Sequence, residues 1–187
     1  MGFLDFLSPK KKREELKQKL INEANAFVTK IKEQKGLTPI TTSILLKKEE
    51  DAYFQTGTVL QETRAIRKYT GSGRGVGFRI AKGVYVGVGG RSGTSESHEE
   101  WRAIDEGKLT LTNKRLIFDG AKEDRVIPLE KIVSANPWLD AIEVSAENRK
   151  KSMLFPVENP YIWATAIQIL IKADNPQKID GVDITIQ

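Results

Sequence analysis

His98 sits in the string SGTSESHEEW beside Glu96, Glu99 and Glu100, the one place in this chain of 187 residues where an imidazole and several carboxylates come together. A metal site needs three or four converging ligands, commonly with imidazole or thiolate among them. The chain has a single histidine and no cysteine, so His98 is read as a solvated side chain. Glu99 and Glu100 make a poor acid–base pair as well, because adjacent residues of an extended chain point to opposite faces. The absence of cysteine also removes disulfides and thiolate nucleophiles, and it fits a reducing compartment. The expectation is a protein with no enzyme activity, no metal and no cofactor.

The glycines suggest a second chemistry. Residues 71–93 hold nine of the fifteen glycines, and Gly71, Gly73, Gly75 and Gly77 form an overlapping GxG pattern. A phosphate-cradling loop of this kind needs a helix N-terminus directly after it. Here Phe78, Ile80, Val84, Tyr85, Val86 and Val88 continue as strand-forming residues. The segment is therefore read as strand and hairpin, with the glycines serving bulges, close backbone approach or a hairpin tip.

Charge carries the third and strongest signal. The net charge is +5, but residues 63–95 contain Arg64, Arg67, Lys68, Arg74, Arg79, Lys82 and Arg91 with no acid. Residues 96–130 reverse the sign, with nine acids against six bases. Such a field steers an anionic partner to one face. Tyr69, Phe78 and Tyr85 interleave with the bases, which also suits a single-stranded nucleic acid bound by cations and stacking rings. Lipid headgroups fit the same cations equally well.

These residues need elements to hold them. With 39% hydrophobic residues the chain can bury an ordinary core. It has no run of about 20 apolar residues to span a bilayer and no secretory leader pattern. Phe3, Leu4, Phe6 and Leu7 form an apolar tip, followed by Ser8, Pro9 and the bases Lys10, Lys11, Lys12 and Arg13. The tip is too short to span, yet with its basic collar it has the two signals of peripheral attachment to a membrane or partner. Ser8 as N-cap and Pro9 as first helical residue open an amphipathic helix that runs to about residue 35. Its stripe is Leu16, Leu20, Ile21, Ala24, Phe27, Val28 and Ile31. The stripe must dock on the domain or on another chain, so a homo-oligomer through this helix stays open.

Beyond a linker at 37–42, the spacing predicts strands at 52–54, 59–69, 76–88, 108–112, 115–118, 125–129, 142–145 and 152–157. Turns are expected at Asn113-Lys114, Asp119-Gly120 and Glu147-Asn148. Asn159 caps and Pro160 opens a second helix to about residue 174, apolar on two faces, with the first helix a candidate for the second cover. Alternation of Val182, Ile184 and Ile186 with polar residues reads as an added edge strand. The inward set is predicted to be Leu109, Leu111, Leu116, Phe118, Ile127, Leu129, Ile142, Val144, Leu154, Trp163 and Ile167.

The string GKLTLTNKRLIFDG from Gly107, then RVIPLEKI, a strand pair and a helix opening at Asn159-Pro160, resembles bacterial members of the pleckstrin-homology and GRAM-like superfamily. The resemblance covers about residues 45–173, with 45–54 similar to the approach to the first strand. It implies an α+β fold: a seven-stranded, strongly bent antiparallel sandwich or partly open barrel, capped at one end by the C-terminal helix. On this reading residues 1–36 are the apolar tip and helix, 45–173 the domain with a glycine-rich insertion at 71–93, and 174–187 the tail. The resemblance also implies binding rather than catalysis. Its lipid-binding members place bases in the loop between the first two strands, and Lys68 and Arg74 flank such a turn here. The expected function is an adaptor that recognises an anionic membrane surface or a partner protein through the basic face, with single-stranded nucleic acid the alternative. The expected location is the cytoplasm, with peripheral attachment at the inner face of the membrane left open.

Overall fold

A computed structural model describes residues 9–81, 84–147, 149–173 and 177, and for strand residues 67–81 and 84–98 the backbone alone. Within it the chain forms a helix α1 (Pro9–Gln34), seven strands and a second helix. The strands are β1 (Ala52–Ala81), β2 (Val84–Thr112), β3 (Arg115–Gly120), β4 (Arg125–Pro128), β5 (Ile132–Pro137), β6 (Ala141–Ala146) and β7 (Met153–Pro156), and α2 is Pro160–Lys172. They make one antiparallel sheet in the order β4-β3-β2-β1-β7-β6-β5, which does not close on itself. The fold is α+β. Two compact units divide the chain: one holds residues up to Glu62 and from Arg102 onward, the other is Thr63–Trp101. β1 and β2 run through both.

The inward set follows from the register. Leu109 faces Phe118 and Leu111 faces Leu116 across β2 and β3, and Leu116 faces Ile127 on β4. Cross-strand partners share a face, so these five side chains converge, and all are at most 1% exposed. Leu129, Ile142, Val144, Trp163 and Ile167 join the same buried cluster. Leu154 is also buried, but it does not belong to the inward face. Its partners are Gln61 and Glu143, while its neighbours Met153 and Phe155 pair with Val144 and Ile142 and enter the core. A one-residue difference in parity moves a strand residue to the other face, and burial of all three hydrophobic positions in MLFP hides that parity in the sequence.

Three further expectations change. β1 ends at Ala81 and β2 begins at Val84, so the strand expected at 76–88 is split between two strands. Lys68 and Arg74 accordingly fall inside β1 rather than beside the turn that ends it. Asp119-Gly120 is not a turn but the end of β3, where Gly120 pairs with Gly107. A Cβ on Gly120 would lie 2.5 Å from Asp105 Oδ2 and 2.6 Å from the Glu123 carbonyl oxygen, so glycine is required for close approach rather than for reversal. Finally, β5 was not expected. Its sequence IVSANP lacks alternation because the register shifts between Ile132 and Ser134, and its terminal proline is tolerated because β5 is an edge strand.

α1 ends with Lys35 in the left-handed region (φ 59°) and with Gly36 N–H donating to the Ile31 carbonyl at 3.0 Å. This is a Schellman-type stop in which lysine, not the glycine after it, takes the positive φ. Of the predicted stripe, Leu20, Ala24, Val28 and Ile31 are buried, while Leu16 remains 45% exposed. The stripe docks on the domain: Leu20 and Ala24 pack with Tyr161 and Ile162 of α2. Farther along, Phe27 meets Phe54 edge-on at 5.6 Å, and Phe54 meets Trp163 at 5.4 Å. α2 packs on β5 and β6 as well as on α1, which accounts for its two apolar faces.

Asn159 joins the two helices. Its Oδ1 accepts from the N–H groups of Tyr161 and Ile162 at 3.1 and 3.2 Å, and its Nδ2 donates to the Leu20 carbonyl and to Glu23 Oε2 at 3.3 and 2.8 Å. Asn159→Ala is expected to cost about 2–3 kcal/mol in urea unfolding, of which the cap is about 1 and the two bonds to α1 the rest. Asn159→Asp keeps the cap but sets a carboxylate against Glu23. It should recover only the cap's share, and full recovery would show that the bonds to α1 contribute nothing.

Candidate functional site

Of the seven bases expected to form an anion-binding face, the side chain of Arg64 is described, and it is exposed. Arg67, Lys68, Arg74 and Arg79 occupy backbone positions in β1 and Arg91 in β2. The side chains of these five lie outside the described residues, as does Lys82 altogether. Phe3, Leu4, Phe6 and Leu7 also lie outside them, as do Val182, Ile184 and Ile186. The basic collar behind the apolar tip is partly described: Lys10, Lys11, Lys12 and Arg13 form the exposed first turn of α1. Lys10, Arg13, Leu16 and Lys17 line one side of a shallow groove, and Trp138, Leu139, Asp140 and Tyr161 line the other. Trp138, 45% exposed, sits on the β5–β6 turn, with its indole N–H 3.3 Å from Glu143 Oε2.

Among the described residues, charged groups are drawn inward at three places, and counting partners separates their roles. The first is Glu50, whose side chain is fully buried. Arg115 grips it from both ends, Nε to Oε1 at 2.8 Å and Nη2 to Oε2 at 3.0 Å. The Thr112 hydroxyl donates to Oε1 at 2.8 Å and the Lys47 N–H to Oε2 at 2.6 Å. Burial alone would raise the carboxyl pKa, but the hydrogen bonds from Arg115, Lys47 and Thr112 and the charge of Arg115 outweigh it and lower the pKa from 4.5 to about 2. Every acceptor is used, so this cluster is a latch that ties the 47–51 loop to the β2–β3 turn.

The second is Asp105. Its Oδ2 accepts from the N–H groups of Lys122 and Glu123 at 2.5 and 2.9 Å, and its Oδ1 from Glu106 N–H at 3.0 Å. The Lys122 N–H above all, against the desolvation of the group and aided by the other two, holds the carboxyl below its ordinary range. This cluster is closed as well, and it orders the β3–β4 connection.

The third is cationic. Arg125 Nε donates to Glu62 Oε1 at 3.1 Å, and its Nη1 to Glu123 Oε2 at 2.8 Å and to the Asp124 carbonyl at 2.9 Å. Glu62 pairs with Met153, so it faces the interior of the sheet. Arg149, in the β6–β7 connection, feels the charges of both Arg125 and Glu62. No spacing in the sequence announces this cluster, since Arg125 lies 63 residues from Glu62 and their meeting depends on how the sheet bends.

The first two clusters are closed on themselves, the third is cationic, and none of the three sets a nucleophile beside a base. Among the described residues no group of three or more His, Cys, Asp or Glu side chains could hold a metal ion, and no helix is long and apolar enough to cross a membrane. Comparison of the chain with protein-family models, curated proteins and solved structures finds no match.

Proposed function

We propose that this chain is a non-enzymatic binding module of pleckstrin-homology-like type that docks on an anionic membrane surface through the basic stretch of β1 and β2. The observation that carries the reading is the strand order β4-β3-β2-β1-β7-β6-β5 followed by a C-terminal helix packed on β5 and β6. That arrangement agrees with a bent seven-stranded sandwich capped by its last helix. A fold of this kind hosts many functions, so the ligand class rests on charge. Residues 63–95 carry seven bases and no acid, and they fall wholly within the unit Thr63–Trp101. Each base near an anionic surface contributes about 1 kcal/mol, and the attraction falls off with salt.

The test is flotation of the full chain with phosphatidylglycerol vesicles and with phosphatidylcholine vesicles, at low and high salt. Salt-sensitive binding to the first alone is expected. Replacing Arg67, Lys68 and Arg74 by Ala should then weaken partition by roughly a hundredfold, the equivalent of about 3 kcal/mol. Equal binding to both vesicles, or none, would overturn the membrane reading. A gel shift with single-stranded RNA or DNA in the same salt range would replace it with nucleic-acid binding.

A further inference from the structure

Among the described residues no large hydrophobic side chain is as exposed as Leu45, at 91%, and its neighbour Leu46 is 37% exposed. Hydrophobic side chains exposed singly are ordinary. These two are consecutive, and the backbone that carries them is fixed on both sides. Ahead of them Ile40 bridges to Ala52, and the Thr42 hydroxyl oxygen accepts from Ile44 N–H at 3.3 Å and from Gln55 Nε2 at 2.7 Å. From Leu45 onward the β2–β3 turn takes hold. Arg115 Nη2 donates to the Leu45 carbonyl at 3.2 Å, Lys114 Nζ to the Lys48 carbonyl at 2.7 Å and Asn113 Nδ2 to the Glu49 carbonyl at 3.1 Å. Glu49 takes a φ of 58°, a conformation that a residue other than glycine keeps only where its surroundings hold it. Leu45 is thus exposed by a loop that the fold ties down, not by a loose one.

Lysines surround the pair. Lys47 and Lys48 follow it, Lys114 reaches the loop from the turn, and all three are exposed. Of the nearby acids, Glu50 is buried against Arg115 and Asp51 is half-buried, which leaves Glu49, 3.8 Å from Lys48, to offset three cations. That composition fits a bilayer better than a protein. The centre of a protein interface favours aromatic side chains and arginine and is poor in lysine, and two leucines fall far short of the area a stable dimer buries. At a membrane surface aliphatic side chains enter the acyl boundary, while lysines lay their stems along it and keep their ammonium groups among anionic headgroups.

We infer that the 44–48 loop is a membrane-insertion element: Leu45 and Leu46 enter the acyl boundary of an anionic bilayer, and Lys47, Lys48 and Lys114 rest on its headgroups. The inference rests on the membrane reading for its partner and adds an apolar contact that the basic stretch of β1 and β2 does not supply.

The chain has no cysteine, so Leu45→Cys accepts a single environment-sensitive fluorophore on the full chain. With phosphatidylglycerol vesicles its emission should rise and shift to the blue, and lipids spin-labelled in the acyl chain should quench it. The same label on Val133→Cys should not respond. Leu45→Ser should leave the Tm within about 2 °C of the parent, because the side chain packs on little, yet weaken partition into these vesicles by about ten- to a hundredfold. Lys47→Ala with Lys48→Ala should weaken it by about ten- to thirtyfold at low salt and far less at high salt. A parent chain that floats with the vesicles while the label at 45 stays unmoved and Leu45→Ser binds as well as the parent overturns the insertion and leaves the membrane reading standing. A parent chain that floats with neither phosphatidylglycerol nor phosphatidylcholine overturns both. A blue shift that appears without lipid as the chain is concentrated, with faster sedimentation that Leu45→Ser abolishes, assigns the loop to a second copy of the chain and overturns the insertion as well.

Discussion

Glu50→Ala is expected to destabilise the protein by about 3–5 kcal/mol, because it leaves the Arg115 guanidinium without its partner in a mostly buried position. Arg115 is 15% exposed in its side chain and would retain only the Leu45 carbonyl, at 3.2 Å, of the acceptors that now hold it there. The same pair sets a pH dependence. The carboxyl has a folded pKa of about 2 against 4.5 when unfolded, so the folded state favours its ionised form. Its contribution is therefore complete above pH 4.5 and disappears as the pH falls toward 2, a loss of about 3 kcal/mol. Urea midpoints measured between pH 7 and pH 2 for the parent chain and for Glu50→Gln check both claims. Glu50→Gln should start lower and lose less on acidification. Parallel profiles would show that the acid sensitivity comes from other carboxylates.

Phe155→Ala should cost a similar amount, about 3–5 kcal/mol, through lost burial and the cavity left behind. Phe155 is 0% exposed, and its ring lies 5.8 Å from that of Phe118, which is 1% exposed. The two rings come from β7 and β3, on opposite sides of β1 and β2 in the strand order, so their contact joins strands from the two halves of the sheet across the core. Phe118→Ala should cost about as much. In a double-mutant cycle the pair should couple by roughly 1 kcal/mol, since removing one ring already removes the aromatic contact. Val133→Ala, at a β5 position 65% exposed, is the control and should stay within about 0.5 kcal/mol of the parent. A cost at Val133 comparable with that at Phe155 would mean that β5 is covered by something other than solvent.

Both results follow from features of different legibility. The core positions of β2, β3, β4 and β6 could be read from the chain because a half-buried strand repeats every two residues, and GKLTLTNKRLIF and RVIPL keep that repeat. The same reading failed at MLFP, where Met153, Leu154 and Phe155 are all buried, and at IVSANP, where the register shift breaks the alternation. The Glu50–Arg115 latch was not legible at all. Its partners lie 65 residues apart, and each looks like an ordinary surface charge until the chain closes on itself.

The candidate sites divide along the same line. A concentration of like charge is a property of the sequence, so the basic stretch from Arg64 to Arg91 is visible without a structure. The pairing of Arg125 with Glu62 is not, because the two residues lie 63 positions apart in the chain. Periodicity, capping residues and local charge are set within a few residues of one another, and they determined by themselves the start and end of α1, the Asn159-Pro160 opening of α2 and the β-rich middle. What covers each apolar face, and which charged groups are left over when the pairs have formed, depends on contacts between distant segments. Tertiary structure alone therefore decided that the stripe of α1 rests on α2 and that Glu50 is buried in the grip of Arg115.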